Sequence, residues 1–155
     1  MTKAAVVYDS RFGNNMRLAN ALTQGLGDEG VTVDCLRVGE FDEATLIGYD
    51  LIVVGGPTNM ARMSKPMQEF FRRLKSVRLR GKKGFCFGTR IESKMNVFDI
   101  NGSAKKIEGK LRGRGVRMVK SAVNVIVEGR EGPLVSGSEE WFQRIGAELA
   151  LNMDG

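Results

Sequence analysis

Apolar and polar positions along the chain follow two alternating periods. Five short runs are apolar or β-branched: Ala4–Tyr8, Val31–Leu36, Leu51–Gly55, Gly84–Phe87 and Val123–Val127. The third is almost continuously apolar, as a strand covered on both faces should be. Between the runs, apolar residues recur every three or four positions. Met16, Ala19, Leu22 and Leu26 predict a helix over Asn15–Leu26, with Gly25 and Gly27 as its stop. A second helix starts at Ser64-Lys65-Pro66, with proline in its first turn and Met67, Phe70, Phe71 and Leu74 on one face. A third follows Ser103 and aligns Ile107 with Leu111. The last opens at Ser136 or Ser138, where Ser136 and Glu139 have capping-box spacing, and runs to about Asn152 with Phe142, Ile145 and Leu149 inward. Phe41–Ile47 is a weaker helical stretch.

Strands alternating with helices define β-α-β units and a parallel sheet. Right-handed crossovers then put helices on both faces, a doubly wound α/β arrangement. The 155 residues suit a single domain over 1–155, with no linker or repeat in between. At 42% hydrophobic and 27% charged, the composition is that of an ordinary globular chain. The longest uniform apolar stretch, Leu51–Val54, is far short of the ~20 residues of a membrane span. Lys3 is followed by only a short apolar run before Asp9, so no secretory pattern is visible and a cytoplasmic location is expected.

Missing residue types narrow the chemistry. There is no histidine, which excludes Ser-His-Asp and Cys-His nucleophile systems and the common imidazole zinc sites. Cys35 and Cys86 lie in separate apolar runs without a C-x-x-C, and are expected as buried strand thiols rather than a redox pair. The paired carboxylates Asp42/Glu43 and Glu139/Glu140 stand where helices open and negative charge is favoured by the macrodipole. Any chemistry here is therefore expected to come from a bound cofactor.

Charge is uneven. The net charge is +6, but residues 71–120 hold 16 Lys/Arg against Glu92, Asp99 and Glu108, a local excess of 13, and the remainder is net negative by 7. Such a segment suits an acidic protein surface or another anionic partner, or simply solvated helix faces. The helices after Ser64 and Ser103 carry part of this positive charge and should share one face. Few aromatics are interleaved with these cations, so nucleic acid is not expected as the partner.

In a sheet of this kind, ligands bind beyond the carboxyl ends of the strands. Three segments would meet there. Asp9-Ser10-Arg11-Phe12-Gly13-Asn14-Asn15 offers a hydroxyl, a glycine, two amides and the free N–H groups of a helix start, the parts of an anion cradle. A plain Asn14 N-cap is the simpler alternative. Gly56-Pro57-Thr58-Asn59-Met60-Ala61-Arg62-Met63 and Gly88-Thr89-Arg90-Ile91 add apolar walls (Pro57, Met60, Ile91) and polar edges (Thr58, Asn59, Thr89). A flat heteroaromatic with a phosphate tail fits that chemistry. Gly25-Leu26-Gly27-Asp28-Glu29-Gly30 also matches G-x-G-x-x-G, but it ends a helix instead of opening one, so it is not a dinucleotide fingerprint.

These features together resemble the flavodoxin family over essentially the whole chain. Val6-Val7-Tyr8-Asp9-Ser10-Arg11-Phe12-Gly13-Asn14-Asn15 resembles the family's phosphate loop, and Ile52-Val53-Val54-Gly55-Gly56-Pro57-Thr58 with Lys65-Pro66 resembles its third strand and flavin-ring loop. Gly102-Ser103-Ala104 and Gly132-Pro133-Leu134 resemble features of its C-terminal half. The resemblance implies a flavodoxin-like doubly wound five-stranded parallel sheet of order 2-1-3-4-5. It also implies FMN as cofactor, with Ser10, Arg11, Phe12, Gly13, Asn14 and Asn15 at the phosphate. Pro57, Thr58, Asn59, Met60 and Ala61 would flank the ring with Gly88, Thr89 and Arg90. The implied function is an FMN-binding redox protein, foremost an electron carrier with a redox partner protein, as monomer or homodimer. Phe12 and Asn15 stand where the family's loop carries threonines. With the basic face, they motivate a second reading, a flavin-free module that docks an acidic partner. An FMN-dependent NAD(P)H:quinone reductase is a third.

Overall fold

A computed structural model of the chain describes residues 2–59, 62–91, 102–129 and 131–153. The elements run β1 (Lys3–Tyr8), α1 (Asn14–Asp28), β2 (Thr32–Arg37), a 3₁₀ segment (Glu43–Gly48), β3 (Leu51–Asn59) and β4 (Arg62–Met63). They continue with α2 (Lys65–Arg73) and its 3₁₀ extension (Leu74–Ser76), β5 (Lys83–Ile91), α3 (Gly102–Arg112), β6 (Arg117–Met118), β7 (Val123–Val127) and α4 (Ser138–Asn152).

The central strands are parallel and in order β2-β1-β3-β5. Val6 lies opposite both Cys35 and Val53, and Val53 opposite Phe85. The outer position beside β5 is filled in two pieces. β6 pairs with Lys83 and Gly84, and β7 with Phe87–Ile91. Counted by position, this is the expected 2-1-3-4-5 sheet. Successive side chains of β1 and β3 enter opposite cores, as the period of two demands. Ala4, Val6, Leu51 and Val53 pack under α1 and α4, while Ala5, Val7, Ile52 and Val54 pack under α2 and α3. The two basic helices therefore do share a face.

Local chemistry explains most element boundaries. Ser64 caps α2 by accepting from the Met67 N–H at 3.3 Å, and Pro66 sits where no N–H is needed. Asp42 caps the Glu43–Gly48 segment by accepting from the Ala44 N–H, and Glu139 and Glu140 occupy the first turn of α4. Both carboxylate pairs are thus helix-start residues. The weak helix expected at Phe41–Ile47 is this short 3₁₀ segment. Cys86 is buried as expected, whereas Cys35, on the outer strand β2, is only half-buried.

Two expectations are corrected. The capping box at Ser136 does not form: α4 is entered through Gly137 at φ 86°, and the Ser138 hydroxyl donates back to the Val135 carbonyl. Nor does Gly25 stop α1, which continues to Asp28. A Cβ on Gly25 would run into the Gln143 carbonyl of α4, and one on Gly146 would meet the Leu22 carbonyl of α1 at 2.5 Å. The two glycines let the helices pass backbone against backbone, so the glycine pattern reflects helix packing rather than termination. Gly25→Ala should therefore cost about 1–3 kcal/mol by overpacking, read as a lowered Tm, whereas Gly27→Ala, whose Cβ meets nothing within 4 Å, should not destabilise.

Tyr49 closes the 3₁₀ segment against β2. Its hydroxyl donates to Asp34 Oδ2 at 2.7 Å, and its ring lies 4.6 Å beneath the Lys3 ammonium. Burial, then the neighbouring Asp34 carboxylate, pushes its pKa up to about 12. A phenol with a folded-state pKa above the ordinary value of ~10 stabilises the fold fully below that ordinary value, and loses the contribution as pH rises toward 12. Tyr49→Phe should flatten the loss of stability across that interval in denaturant titrations at stepped pH, at some cost in stability at neutral pH.

Candidate flavin site at the carboxyl edge of the sheet

β1, β3 and β5 all deliver their carboxyl ends to one edge, and the three segments expected to form the site meet there. After β1, the Asp9 N–H donates to the Gly55 carbonyl at 3.0 Å, holding the chain beside β3 before it turns. The loop then closes on itself. The Ser10 hydroxyl accepts from the Gly13 N–H at 3.0 Å, and Gly13 adopts φ 89°, a left-handed conformation that costs other residues energy. Gly13, rather than Asn14, is the N-cap of α1, and no side chain caps the helix. The first-turn N–H groups therefore remain available to an anion, with no acidic side chain in that turn to compete.

Asn14 and Asn15 are buried in the helix start, each tied to a different neighbour. Asn14 Nδ2 donates to the Glu131 carbonyl at 3.3 Å, in the loop between β7 and α4. Asn15 Nδ2 donates to Thr89 Oγ1 at 2.9 Å, joining the first segment to the third. Both amide oxygens, Asn14 Oδ1 and Asn15 Oδ1, are buried without a hydrogen-bond partner. Turned over, the Asn15 amide would accept from the Thr89 hydroxyl and present its own N–H to an acceptor. Only in that turned form does the Asn15 amide add a donor to the free N–H groups of the helix start, and donors are what a phosphate requires.

Other side chains frame the edge. Arg11 lies over the Phe12 ring at 5.3 Å, and Phe12 and Ile91 are exposed apolar groups at this end. The Arg37 guanidinium, at the end of β2, donates to the Ser10 carbonyl at 2.8 Å and brings a cation beneath the loop. Ser64 Oγ and Asp9 Oδ2 form a short hydrogen bond that fastens the start of α2 to the end of β1.

The second and third segments differ from their expected form. Pro57, Thr58 and Asn59 belong to β3, and Gly88, Thr89 and Arg90 to β5; both strands overrun the predicted loops. The extension is paid for by pairing, since Pro57 lies opposite Thr89, and Phe87–Ile91 run beside β7. Asn59 pairs antiparallel with Arg62, and Met60 and Ala61 lie outside the described residues. Thr58 Oγ1 accepts from the Ser103 N–H at 2.7 Å, so this hydroxyl is engaged with the start of α3. Gly88 is needed for packing: a Cβ there would strike the Ser103 hydroxyl, which donates to the Gly56 carbonyl at 2.7 Å. Arg90 is half-buried at the end of β5 and already has an interaction partner.

Sequence reasoning missed two supports of this edge, Arg37 and the Glu131 carbonyl. They reach the loop from 27 and 117 residues away, and local sequence carries no sign of either. Ser64 was visible as a helix cap, but its second partner was not.

The flavodoxin family model matches residues 6–144, and the chain belongs to that family, whose members bind FMN. "Probable flavodoxin 1" of Bacillus subtilis (strain 168) is 29% identical over 90 residues, covering 57% of each chain. An "NAD(P)H dehydrogenase (quinone)" of Bradyrhizobium diazoefficiens is 36% identical over 90 residues, 45% of each chain. The matched segments thus span about half the length of the curated relatives. Among solved structures, a flavodoxin from the domain Archaea superposes with a TM-score of 0.81 at 23% identity, covering 99% of this chain and 100% of that one.

The Asn15–Thr89 bond makes a direct prediction. Thr89→Val removes the acceptor while keeping the shape, leaving the buried Asn15 amide without any partner; this should cost about 1–3 kcal/mol in urea unfolding. Thr89→Ser, which retains the hydroxyl, should restore most of that loss.

Proposed function

We propose that the chain is an FMN-binding electron carrier that holds the cofactor at the carboxyl edge of its sheet. The observation that carries this reading is the start of α1: an uncapped helix end with free first-turn N–H groups, entered through left-handed Gly13 and flanked by the buried Asn15 amide, which can turn to offer an N–H. Ser10, Gly13, Asn14 and Asn15 would hold the phosphate through hydroxyl, amide and first-turn N–H donors. Arg11 and Arg37 supply compensating charge, Arg37 through its grip on the Ser10 carbonyl. Pro57, Thr58, Asn59, Met60 and Ala61 on one side, and Gly88, Thr89 and Arg90 on the other, would flank the ring. Phe12 and Ile91 offer apolar surface that excludes water from it. Bound FMN supplies the electron chemistry, and the protein supplies binding, orientation and field. A cation near the ring favours the reduced, anionic form and raises the potential, the role read for Arg11 and Arg90. The redox partner would approach this edge, since electron transfer demands close contact with the ring.

Flavin fluorescence during titration tests the reading. FMN should be quenched with a Kd below about 1 μM. Riboflavin, which lacks the phosphate, should bind at least about 100-fold more weakly, because several charge-assisted hydrogen bonds are lost. Gly13→Ala should weaken FMN binding about tenfold, through the ~1–2 kcal/mol cost of a left-handed alanine. Unchanged FMN fluorescence would overturn the reading in favour of a flavin-free module. The relatives named as quinone dehydrogenases favour a second reading, FMN-dependent quinone reduction, which sustained NADPH consumption with a soluble quinone would establish.

A further inference from the structure

The basic excess of residues 71–120 lies largely at the opposite pole from the flavin edge. β5 begins at Lys83 and ends at Ile91, so its nine residues separate the two poles by roughly 27 Å. The carbonyl ends of the helices gather at the amino pole, and three cations close them. Lys82 Nζ donates to the Ile47 carbonyl at 2.7 Å and to the Tyr49 carbonyl at 2.5 Å. Lys83 Nζ donates to the Asn152 and Met153 carbonyls at the end of α4. The Arg114 guanidinium donates to the Phe71 and Leu74 carbonyls, at 3.2 Å each, at the end of α2. These cations serve the fold. Arg78, Arg80 and Lys110 do not: they are exposed, and among the described residues no carboxylate pairs with them.

Those three line an open cleft of about 590 Å³ between the Val77–Arg80 segment and the last turn of α3. Its walls are braced. The Gly81 N–H donates to the Gly115 carbonyl at 3.0 Å, and Arg114 crosses behind to α2. Gly109 forms part of the lining, and it has no packing reason to be glycine: a Cβ there would meet nothing within 4 Å. A glycine inside a helix with open space beside it costs stability relative to alanine. Such a position at a cationic cleft is where another backbone can come close.

We propose that this cleft is a docking site for an acidic, extended segment of a partner protein, separate from the flavin edge and independent of flavin binding. Carboxylates would pair with Arg78, Arg80 and Lys110 while the partner backbone passes over Gly109. The pole presents helix carbonyl ends rather than the N–H groups that bind phosphates, so recognition must come from side-chain cations. Among the described residues it offers no exposed aromatic for base stacking, and its cations surround one cleft rather than tracking a long backbone. Both points favour carboxylates over nucleic acid. A partner held here leaves the flavin edge free for a second protein.

Fluorescence anisotropy with a labelled oligoglutamate peptide tests the site, using the full-length chain. The peptide should bind, and binding should weaken as salt rises. Arg78→Glu should lower affinity about tenfold. Arg144→Glu, an exposed reversal on α4 with the same change in net charge, should lower it less than twofold. Gly109→Leu should lower it about tenfold without loss of Tm, and Gly109→Ala should raise Tm by about 2–4 °C. Equal losses in Arg78→Glu and Arg144→Glu would reduce the effect to net charge and overturn the site. So would tighter binding of a DNA duplex than of oligoglutamate at equal salt, or a fall in Tm with Gly109→Ala. FMN affinity, measured in parallel, should not change in any of these variants, so failure of the flavin reading and failure of this one are separable.

Discussion

The backbone ladder joining β1, β3 and β5 is the constraint on which the rest depends. Parallel pairing sets the three strands in one register, so Tyr8, Gly55 and Phe87 arrive level with one another. From that line each chain must turn or continue, and the three segments of the candidate site have no other place to go. The ladder survives because it is dry on both faces, with β1 and β3 giving alternate side chains to two separate cores. Small residues set its thickness. Ala4 and Ala5 in β1, and Gly55 under the Phe87 ring, let helices and aromatics sit close to the sheet. The site is therefore a by-product of core packing as much as of loop chemistry.

Direction explains the charge as well. Each helix returns antiparallel to the strands, so helix amino ends collect at the carboxyl edge and carbonyl ends at the other. Dipoles then favour anions at the first pole and cations at the second. A chain whose +13 segment spans α2, β5 and α3 places many of those charges where helix carbonyls end. Lys82, Lys83 and Arg114 show this in atomic contacts, each bonded to two of those carbonyls. The sequence asymmetry is partly structural upkeep and partly surplus, and only the contacts tell the two apart.

Much of the fold was legible in the residues. Each of the five apolar runs marks a strand, with only Val31 falling outside one, because buried parallel strands leave a continuous apolar trace. Helix starts were legible where a side chain does the capping, as at Ser64 and Asp42. They were misread where a left-handed glycine does it, as at Gly13 and Gly137, since spacing shows which side chains could cap but not which backbone conformation enters the helix. Strand ends were drawn too early at Gly55 and Phe87, because pairing partners, not apolar character, carry β3 and β5 onward. The site residues were visible as a set, but their division of labour was not. Thr58 serves α3, and Asn15 and Thr89 serve each other, relations between positions 45 and 74 residues apart.

The close crossing of α1 and α4 at Gly25 and Gly146 has a consequence for how the protein is made. α1 follows the candidate phosphate loop, and its inner face is completed by α4, including Phe142 and Ile145. During synthesis the first strands and α1 leave the ribosome long before residues 138–152 exist. Until α4 emerges, the face of α1 that packs against it is exposed. The candidate phosphate loop is made well before α4, yet the helix behind it is fully seated only once α4 is present. A ribosome-stalled chain lacking α4 would therefore expose apolar surface that a chaperone must protect.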